Sequence, residues 1–163
     1  MTSDTAPTSL ADRRPGCYNC DQDADPASLA PWEAVHRDGL WRVALAYDTS
    51  MPGWLVVVPT RHVESLHEVS EDDAAALGRV LRAVSAALVE VTGCVKTYVM
   101  LFAEAEGFAH LHVHVVPRPA DLAGEHLGPR VFAHLGVPPE KQVSVQARSD
   151  LAAALGAVLA RRG

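Results

Sequence analysis

The hydrophobic and polar positions of the chain follow two periods, one typical of strands and one typical of helices. Residues 40–47 and 54–58 form two mainly apolar runs, and the stretch between them contains Pro52 and Gly53. Runs of this length joined by turn residues predict a pair of antiparallel strands. A further apolar run over 95–102 predicts another strand. The chain is therefore expected to build a β-sheet.

Between residues 70 and 92 the apolar positions recur every three or four residues, which predicts an amphipathic helix of about six turns. Ser70 can cap the first free amides, the acidic residues after it suit the positive end of the helix dipole, and Gly93 can end the helix. The apolar register consists of Leu77, Val80, Leu81, Val84, Leu88 and Val91. This face is expected to pack on the sheet. A second helix, C-terminal and rich in alanine and leucine, is predicted over 149–161.

The remaining segments lack such periods. Residues 1–16 are rich in Thr, Ser, Asp, Arg, Pro and Gly, which predicts a flexible N-terminal arm. Residues 119–140 are rich in proline and glycine and are expected to form a loop with one helical turn near 131–134. A chain of 163 residues with 48% hydrophobic content can bury one sizeable core. We therefore expect residues 17–163 to form a single domain.

Three of the eight histidines stand at alternate positions of the run 110–118, and the residues between them are apolar. Side chains alternate between the two faces of a strand, so His110, His112 and His114 are expected to share one face. Neighbouring imidazoles would then stand roughly 6.5 to 7 Å apart at the backbone, close enough for two of them to engage one phosphoryl group or one metal. Because histidine has a low strand preference, this pattern indicates a functional site rather than a solvated strand face.

Charge and composition narrow the classes of partner. The net charge of −6 argues against duplex nucleic acid, because affinity there comes from neutralising many phosphates. A small anionic ligand can still bind where donors converge. No apolar run approaches membrane-spanning length and no signal-like segment opens the chain, so we expect a soluble, cytoplasmic protein without a membrane partner.

The three cysteines do not suggest a secreted, disulfide-stapled fold. Cys17 and Cys20 form a Cys-x-x-Cys pair, which is half of a tetrahedral zinc site. A redox role would require a helix directly after the pair, and residues 21–26 are expected to form a loop. Zinc would need two further ligands from elsewhere in the chain.

The histidine run has the form His-x-His-x-His-x-x with hydrophobic intervening residues, and in this it resembles the histidine triad (HIT) superfamily of nucleotide hydrolases and transferases. The upstream block resembles the same family, with Asp48, Gly53, Pro59 and His62 at matching positions. The likeness covers roughly residues 17–118. Two departures are evident: the turn before the glycine is shorter than is usual in the family, and Trp54 stands where a histidine commonly follows the glycine.

The resemblance implies an α+β, HIT-like fold. It has an antiparallel sheet of about five strands, one long helix packed on it and a C-terminal helix. It also implies a homodimer, as related proteins are.

The resemblance further implies a role for each matching side chain. The middle histidine, His112, would attack the α-phosphate of a nucleotide and form a nucleotidyl-histidine intermediate, while His114 would contact the phosphate or the leaving group. The substrate would be a nucleoside phosphate, a dinucleoside polyphosphate or a nucleoside phosphoramidate, and Asp48 would belong to the substrate site. In the zinc-containing branch of the superfamily, residues matching Cys17, Cys20, His62 and His110 bind one structural Zn²⁺.

Many family hydrolases carry a glutamine before the triad that touches the phosphate, and here Glu106 stands at the corresponding place. A carboxylate would repel phosphate unless it is paired with a cation. Arg118, which follows the triad, could offset that charge or simply cap its strand at the surface. Glu106 therefore leaves open a nucleotide-binding module with weak or no turnover. A separate alternative is a catalytic metal site in which His112 and His114 are also ligands.

The other chemistry-bearing residues are expected to be structural. Trp32, Trp41 and Trp54 could stack on a base, but large aromatic residues more often belong to the core. Cys94 is expected to be a small buried residue. The isolated histidines His67, His126 and His134 are expected to lie at the surface or to be bonded locally.

Overall fold

The computed structural model describes residues 13–162, and five strands in this part of the chain form one antiparallel sheet. The strand order is β1-β2-β3-β5-β4, and every neighbouring pair is antiparallel. The strands are β1 (His36–Arg37), β2 (Trp41–Leu45), β3 (Leu55–Pro59), β4 (Lys96–Leu101) and β5 (Val113–Arg118). This architecture confirms the α+β fold with about five strands. The two-residue strand β1 had no signal in the sequence.

Within residues 13–162, three α-helices accompany the sheet: α1 (Tyr18–Ala24), α2 (Glu71–Thr92) and α3 (Val145–Ala160). Helix α2 confirms the prediction at both ends, because the Ser70 hydroxyl accepts from the Asp73 amide at 3.1 Å and Gly93 ends the helix at a φ of 69°. Helix α3 begins four residues earlier than predicted because Ser144 caps it. Among residues 13–162, no helix combines the length and the apolar character needed to cross a bilayer.

The two faces of the sheet have different surroundings. One face packs against α2 and α3, and its central contacts are buried aliphatic side chains: Val43, Leu45, Leu55, Val57, Val113, Val115, Leu88 and Leu155. The alternate residues of the same strands point to the opposite face, which carries Arg42, Ala44, Val56 and Val58. Because α2 and α3 cover the first face, the second face is left to form a site.

Two local predictions are wrong because contacts with residues distant in sequence determine the structure at these places. The residues after Cys20 form α1 rather than a loop, because Asp23 is buried there by ion pairs with Arg37 at 2.6 Å and with Arg42 at 3.0 Å. The histidine strand begins at Val113 rather than at residue 110. The preceding segment leaves the sheet because the Leu111 amide donates to the carbonyl of Val63 at 2.7 Å.

The segment after β5 holds more structure than the single turn that was expected. It forms three short 3₁₀ helices, Gly124–His126, Gly128–His134 and Pro139–Lys141. At the other end, residues 1–12 of the predicted N-terminal arm lie outside the described residues. Arg14, near the end of the predicted arm, forms an ion pair with Glu64. The division into an arm and a single domain therefore stays a prediction.

Candidate active site and metal centre

A cavity of about 370 Å³ lies on the face of the sheet opposite α2. Its floor consists of small side chains, Ala44 on β2 and Val56 and Val58 on β3, which leave room above the strands. Phe132 and Leu135, from the segment after β5, line the wall. Two of the three clustered histidines also line this cavity.

His112 is partly buried, and its hydrogen bond defines its protonation pattern. Its Nδ1 lies 2.7 Å from the backbone oxygen of His110. A carbonyl oxygen can only accept, so Nδ1 of His112 carries a proton, and in the neutral ring Nε2 carries the free electron pair. The neutral form of His112 therefore directs its electron pair from Nε2, and the residue lines the cavity.

His114 has the opposite arrangement. The indole Nε1 of Trp54, which is fully buried, donates to Nδ1 of His114 at 3.1 Å, so the neutral ring carries its proton on Nε2. Burial, and then the neighbouring His112, lower the pKa of His114 to about 4. The ring is therefore neutral near pH 7. Its centroid lies 4.9 Å from that of His112, so a nitrogen electron pair and an N–H donor stand side by side.

Replacing Trp54 by phenylalanine is expected to weaken this arrangement. The indole bonds only to an unprotonated Nδ1, so its loss should raise the pKa of His114 from about 4 towards the ordinary value of 6.5. The pKa of His114 is about 4 in the folded wild type and about 6.5 in the unfolded chain. Between pH 6.5 and pH 4 the unfolded chain therefore binds more protons than the folded chain, and the free energy of unfolding of the wild type falls as the pH drops. Trp54→Phe should lose less stability across the window, as measured by urea unfolding and by titration of the imidazole signals.

Trp41→Phe is a matched control for that variant. Trp41 is also buried, but its Nε1 has no hydrogen-bond partner among the described residues. Trp41→Phe should therefore lower stability at every pH and leave the His114 titration where it is. If the free energy of unfolding depended on pH in the same way in Trp54→Phe and Trp41→Phe, the proposed role of the Trp54 indole would be contradicted.

A second cluster joins the Cys-x-x-Cys pair to two histidines. The ligand atoms of Cys17, Cys20, His62 and His110 all lie within 4.8 Å of one another. Nδ1 of His110 lies 3.4 Å from Sγ of Cys17 and 3.6 Å from Sγ of Cys20, and Nδ1 of His62 lies 3.3 Å from Sγ of Cys20. Tetrahedral zinc with ordinary Zn–S and Zn–N bond lengths separates sulfur and nitrogen ligands by about 3.5 Å. The cluster therefore fits a zinc ion with a closed Cys2His2 shell.

The outer contacts of the histidines orient them for this role. Nε2 of His110 lies 2.9 Å from the carbonyl of Pro59 and so carries the proton, which leaves Nδ1 unprotonated and directed at the cysteines. Nε2 of His62 lies 3.5 Å from the carboxylate of Glu64. The four ligands come from the start of α1, the segment after β3 and the segment before β5. A bound ion would join all three.

The structure places the remaining candidate residues differently. Asp48 lines the cavity together with Glu104, whereas Glu106 is exposed and is not among the lining residues. Arg118 stands six residues beyond His112, about 20 Å along an extended chain. In the sheet it lies opposite Lys96 of the neighbouring strand β4. Within the described residues the metal-ligating group does not include His112 or His114.

The residues expected to be structural have structural surroundings. Trp41, Trp54 and Cys94 are buried in the core. His126 and His134 bond to each other at 2.9 Å, which is the local bonding that was predicted.

A polar cluster that the sequence did not predict lies at the side of the cavity formed by β2. It consists of Tyr18, Asn19, Glu33 and Arg42, all of which line the cavity. One signal was available: Arg42 is a charged residue inside an otherwise apolar strand, where a buried cation requires partners. The partners themselves came from α1 and from the segment before β1, which the strand pattern could not reveal.

Comparison with known proteins identifies the family. The model of the HIT domain matches residues 29–121. A crystal structure of a Zn-bound histidine triad family protein from Mycobacterium smegmatis is 21% identical, with a TM-score of 0.60, and the match covers 85% of this chain and 91% of that one. A hypothetical histidine triad nucleotide-binding protein from Sulfolobus tokodaii is 19% identical, with a TM-score of 0.67 and coverage of 89% and 93%.

A Hit-like protein from Bartonella henselae, described as involved in cell-cycle regulation, is 16% identical, with a TM-score of 0.64 and coverage of 85% and 93%. A search of the curated proteins finds no match. The solved structures share the fold described above, and the family model spans more than half of the chain. The chain therefore belongs to the HIT domain family.

Proposed function

We propose that this protein is a nucleotide hydrolase or nucleotidyl transferase that acts at the α-phosphate through His112. The observation that carries the proposal is the 2.7 Å bond between Nδ1 of His112 and the His110 carbonyl, which places the electron pair of the neutral ring on Nε2. An imidazole nitrogen in this state is a competent nucleophile near neutral pH. The substrate would be a nucleoside phosphate, a dinucleoside polyphosphate or a nucleoside phosphoramidate.

In the proposed reaction, Nε2 of His112 attacks the α-phosphorus and a P–N bond forms. The bond to the leaving group breaks, and the leaving group departs with the electron pair. The positive charge that develops on His112 is stabilised by the His110 carbonyl, which already accepts from Nδ1. His114, neutral with its proton on Nε2, donates a hydrogen bond to the phosphate or the leaving group. Water or another acceptor then attacks phosphorus and releases His112.

The charges around the cavity favour a lightly charged phosphate. Asp48, Glu33 and Glu104 all line the cavity, and Arg42 is the one cation among the described lining residues. Arg42 already pairs with the buried carboxylate of Asp23 at 3.0 Å. Because carboxylates repel a doubly charged phosphate monoester, we expect an α-phosphate with a single negative charge to bind better. Phosphoramidates and dinucleoside polyphosphates meet this condition.

A panel of adenylyl and guanylyl substrates tests the proposal. The wild-type enzyme should release a nucleoside monophosphate from phosphoramidates or dinucleoside polyphosphates and should form an acid-labile nucleotidyl adduct. The second candidate function is a nucleotide-binding module, which is favoured by the carboxylate of Glu104 in the cavity and by Glu106 at the usual glutamine position. That candidate would bind nucleotides with neither turnover nor adduct.

We also propose that the protein forms a homodimer through β4. This strand lies at the edge of the sheet, so one side of its backbone has no strand partner in the described chain. Exposed apolar side chains flank this edge: Val95, Val99 and Phe102 have exposed fractions of 58%, 49% and 55%. An apolar edge strand of this kind favours pairing with a second copy.

Replacing Val99 by glutamate is expected to convert the dimer into a monomer, because the substitution buries a charge in the proposed interface. Light scattering coupled to size exclusion measures the mass directly. Val145→Glu is the control, because Val145 is 58% exposed at the start of α3 and is remote in sequence from β4. A monomeric wild-type protein, or a dimer that both variants retain, would contradict the proposed interface.

A further inference from the structure

The polar cluster is separated from His112 and His114 by about the length of a nucleoside. His114 on β5 pairs with Val56 on β3, and Val56 pairs with Ala44 on β2. Arg42 precedes Ala44 by two residues on β2 and therefore lies on the same face of the sheet. Strands are spaced about 4.8 Å apart, so β2 lies about 10 Å from β5 across the sheet. This separation is comparable to that between the α-phosphate and the far edge of the base in a nucleotide.

Arg42 fixes the geometry of the cluster because all three of its donor nitrogens have partners. Its Nε donates to Asp23 at 3.0 Å, its Nη1 to the backbone oxygen of Glu33 at 2.8 Å and its Nη2 to Oδ1 of Asn19 at 3.3 Å. Because Oδ1 of Asn19 accepts from Arg42, the Nδ2 group is the part of this amide that can donate to a ligand. Asn19 thus presents a donor, held in place by a buried guanidinium.

Glu33 presents an acceptor in the same place. The hydroxyl of Tyr18 donates to Oε1 of Glu33 at 3.2 Å. Oε2 has no donor within hydrogen-bonding distance among the described residues, and the nearest cationic nitrogen, Nη1 of Arg42, is 3.9 Å away. The side chain is almost fully buried yet lines the cavity. Oε2 is open to the cavity, where it can accept from a ligand N–H.

Aromatic rings stand beside this donor and acceptor. The ring of Tyr18 lies 5.3 Å from that of Phe108 and 5.7 Å from that of Tyr47, centroid to centroid. All three residues line the cavity. Flat, aromatic walls next to directional polar groups are typical of sites that bind a nucleobase.

We propose that the polar cluster recognises the base of the substrate and selects guanine over adenine. This inference rests on the proposed function, because it assumes that the α-phosphate lies at His112. Guanine offers two neighbouring N–H groups, at N1 and N2, to the carboxylate of Glu33, and its O6 accepts from Nδ2 of Asn19. Adenine presents the lone pair of N1 on the same edge and therefore offers Glu33 a single amino group.

The test compares the 5′-phosphoramidates of guanosine, inosine and adenosine, because inosine lacks only the N2 amino group of guanosine. In the wild type, kcat/KM for guanosine should exceed that for inosine and adenosine by about tenfold or more, as a bidentate base contact provides. Glu33→Gln replaces one acceptor by a donor and should reduce this preference to less than about threefold. Asn19→Asp, which places an acceptor opposite O6, should also lower the value for guanosine.

Glu104→Gln is the matched control, because it neutralises another cavity carboxylate that has no place in the polar cluster. It should change kcat/KM for the three substrates by the same factor. Calorimetric binding of GMP, IMP and AMP to the same proteins gives a readout that does not depend on turnover, and thermal unfolding verifies that each variant folds.

Equal use of guanosine and adenosine by the wild type would overturn base selection and leave the proposed function standing. A Glu33→Gln variant that keeps the guanine preference would also overturn it. Absence of turnover and adduct with every substrate would instead defeat the proposed function, and the binding preference for GMP would still decide the role of the cluster.

Discussion

Replacing His112 by alanine is expected to lower kcat for nucleotidyl transfer by at least about 10⁴-fold, because the variant lacks the atom that bonds to phosphorus. The change should leave binding nearly intact, since the cavity floor lies on β2 and β3 and the polar cluster lies on α1, the segment before β1 and β2. Mass spectrometry of the acid-sensitive adduct is the decisive measurement. The wild type should gain the mass of one nucleotidyl group, and His112→Ala should gain none.

His114→Ala provides the comparison for that result. This variant loses a hydrogen-bond donor but keeps the nucleophile, so it should turn over more slowly and still form the adduct. Affinity for a nucleoside monophosphate should be retained in His112→Ala. An adduct of undiminished yield in His112→Ala, or substantial turnover by that variant, would remove His112 from the proposed role.

Replacing Cys20 by serine is expected to abolish stoichiometric zinc binding and to lower the melting temperature. Zinc in a closed Cys2His2 shell contributes folding free energy directly, about 10 to 16 kcal/mol in small zinc-finger peptides. This chain also has an extensive apolar core, so we expect only part of that effect, with a decrease in melting temperature on the order of 10 °C. Elemental analysis of freshly purified protein, never exposed to chelator, measures the metal.

Cys94→Ser is the matched control for the loss of a buried thiol. Cys94 is buried in the main core, outside the metal cluster, so this variant should lose some stability and keep about one zinc per chain. A wild-type protein with little zinc, or a Cys20→Ser variant that keeps its metal, would contradict the proposed centre.

The parts of the fold that could be predicted from the sequence are those set by local interactions. Helix α2 combines a regular apolar register with a Ser70 cap and a glycine at its end, and both of its boundaries were predicted correctly. The metal cluster could be proposed because the spacing of Cys17 and Cys20 is itself a local signal. Its other two ligands came from a resemblance, because no spacing joins residues so far apart.

The remaining features depend on contacts between distant segments. Helix α1 was missed because its acidic sequence favours a loop in isolation, whereas Asp23 is buried there by two arginines from the sheet. The polar cluster was missed for a similar reason. The environment of Arg42 depends on which face of β2 the helices cover, and that follows from the assembled sheet rather than from the strand itself.

His110 contributes to two sites with different atoms. Its Nδ1 belongs to the metal cluster, while its backbone oxygen holds the proton on His112. If His112 is the nucleophile as proposed, loss of the ion would free the His110 backbone and allow the other tautomer of His112, so kcat would fall with little change in KM. Preparations purified in the presence of chelators would then under-report the specific activity. Metal content should accordingly be quoted beside every measured rate.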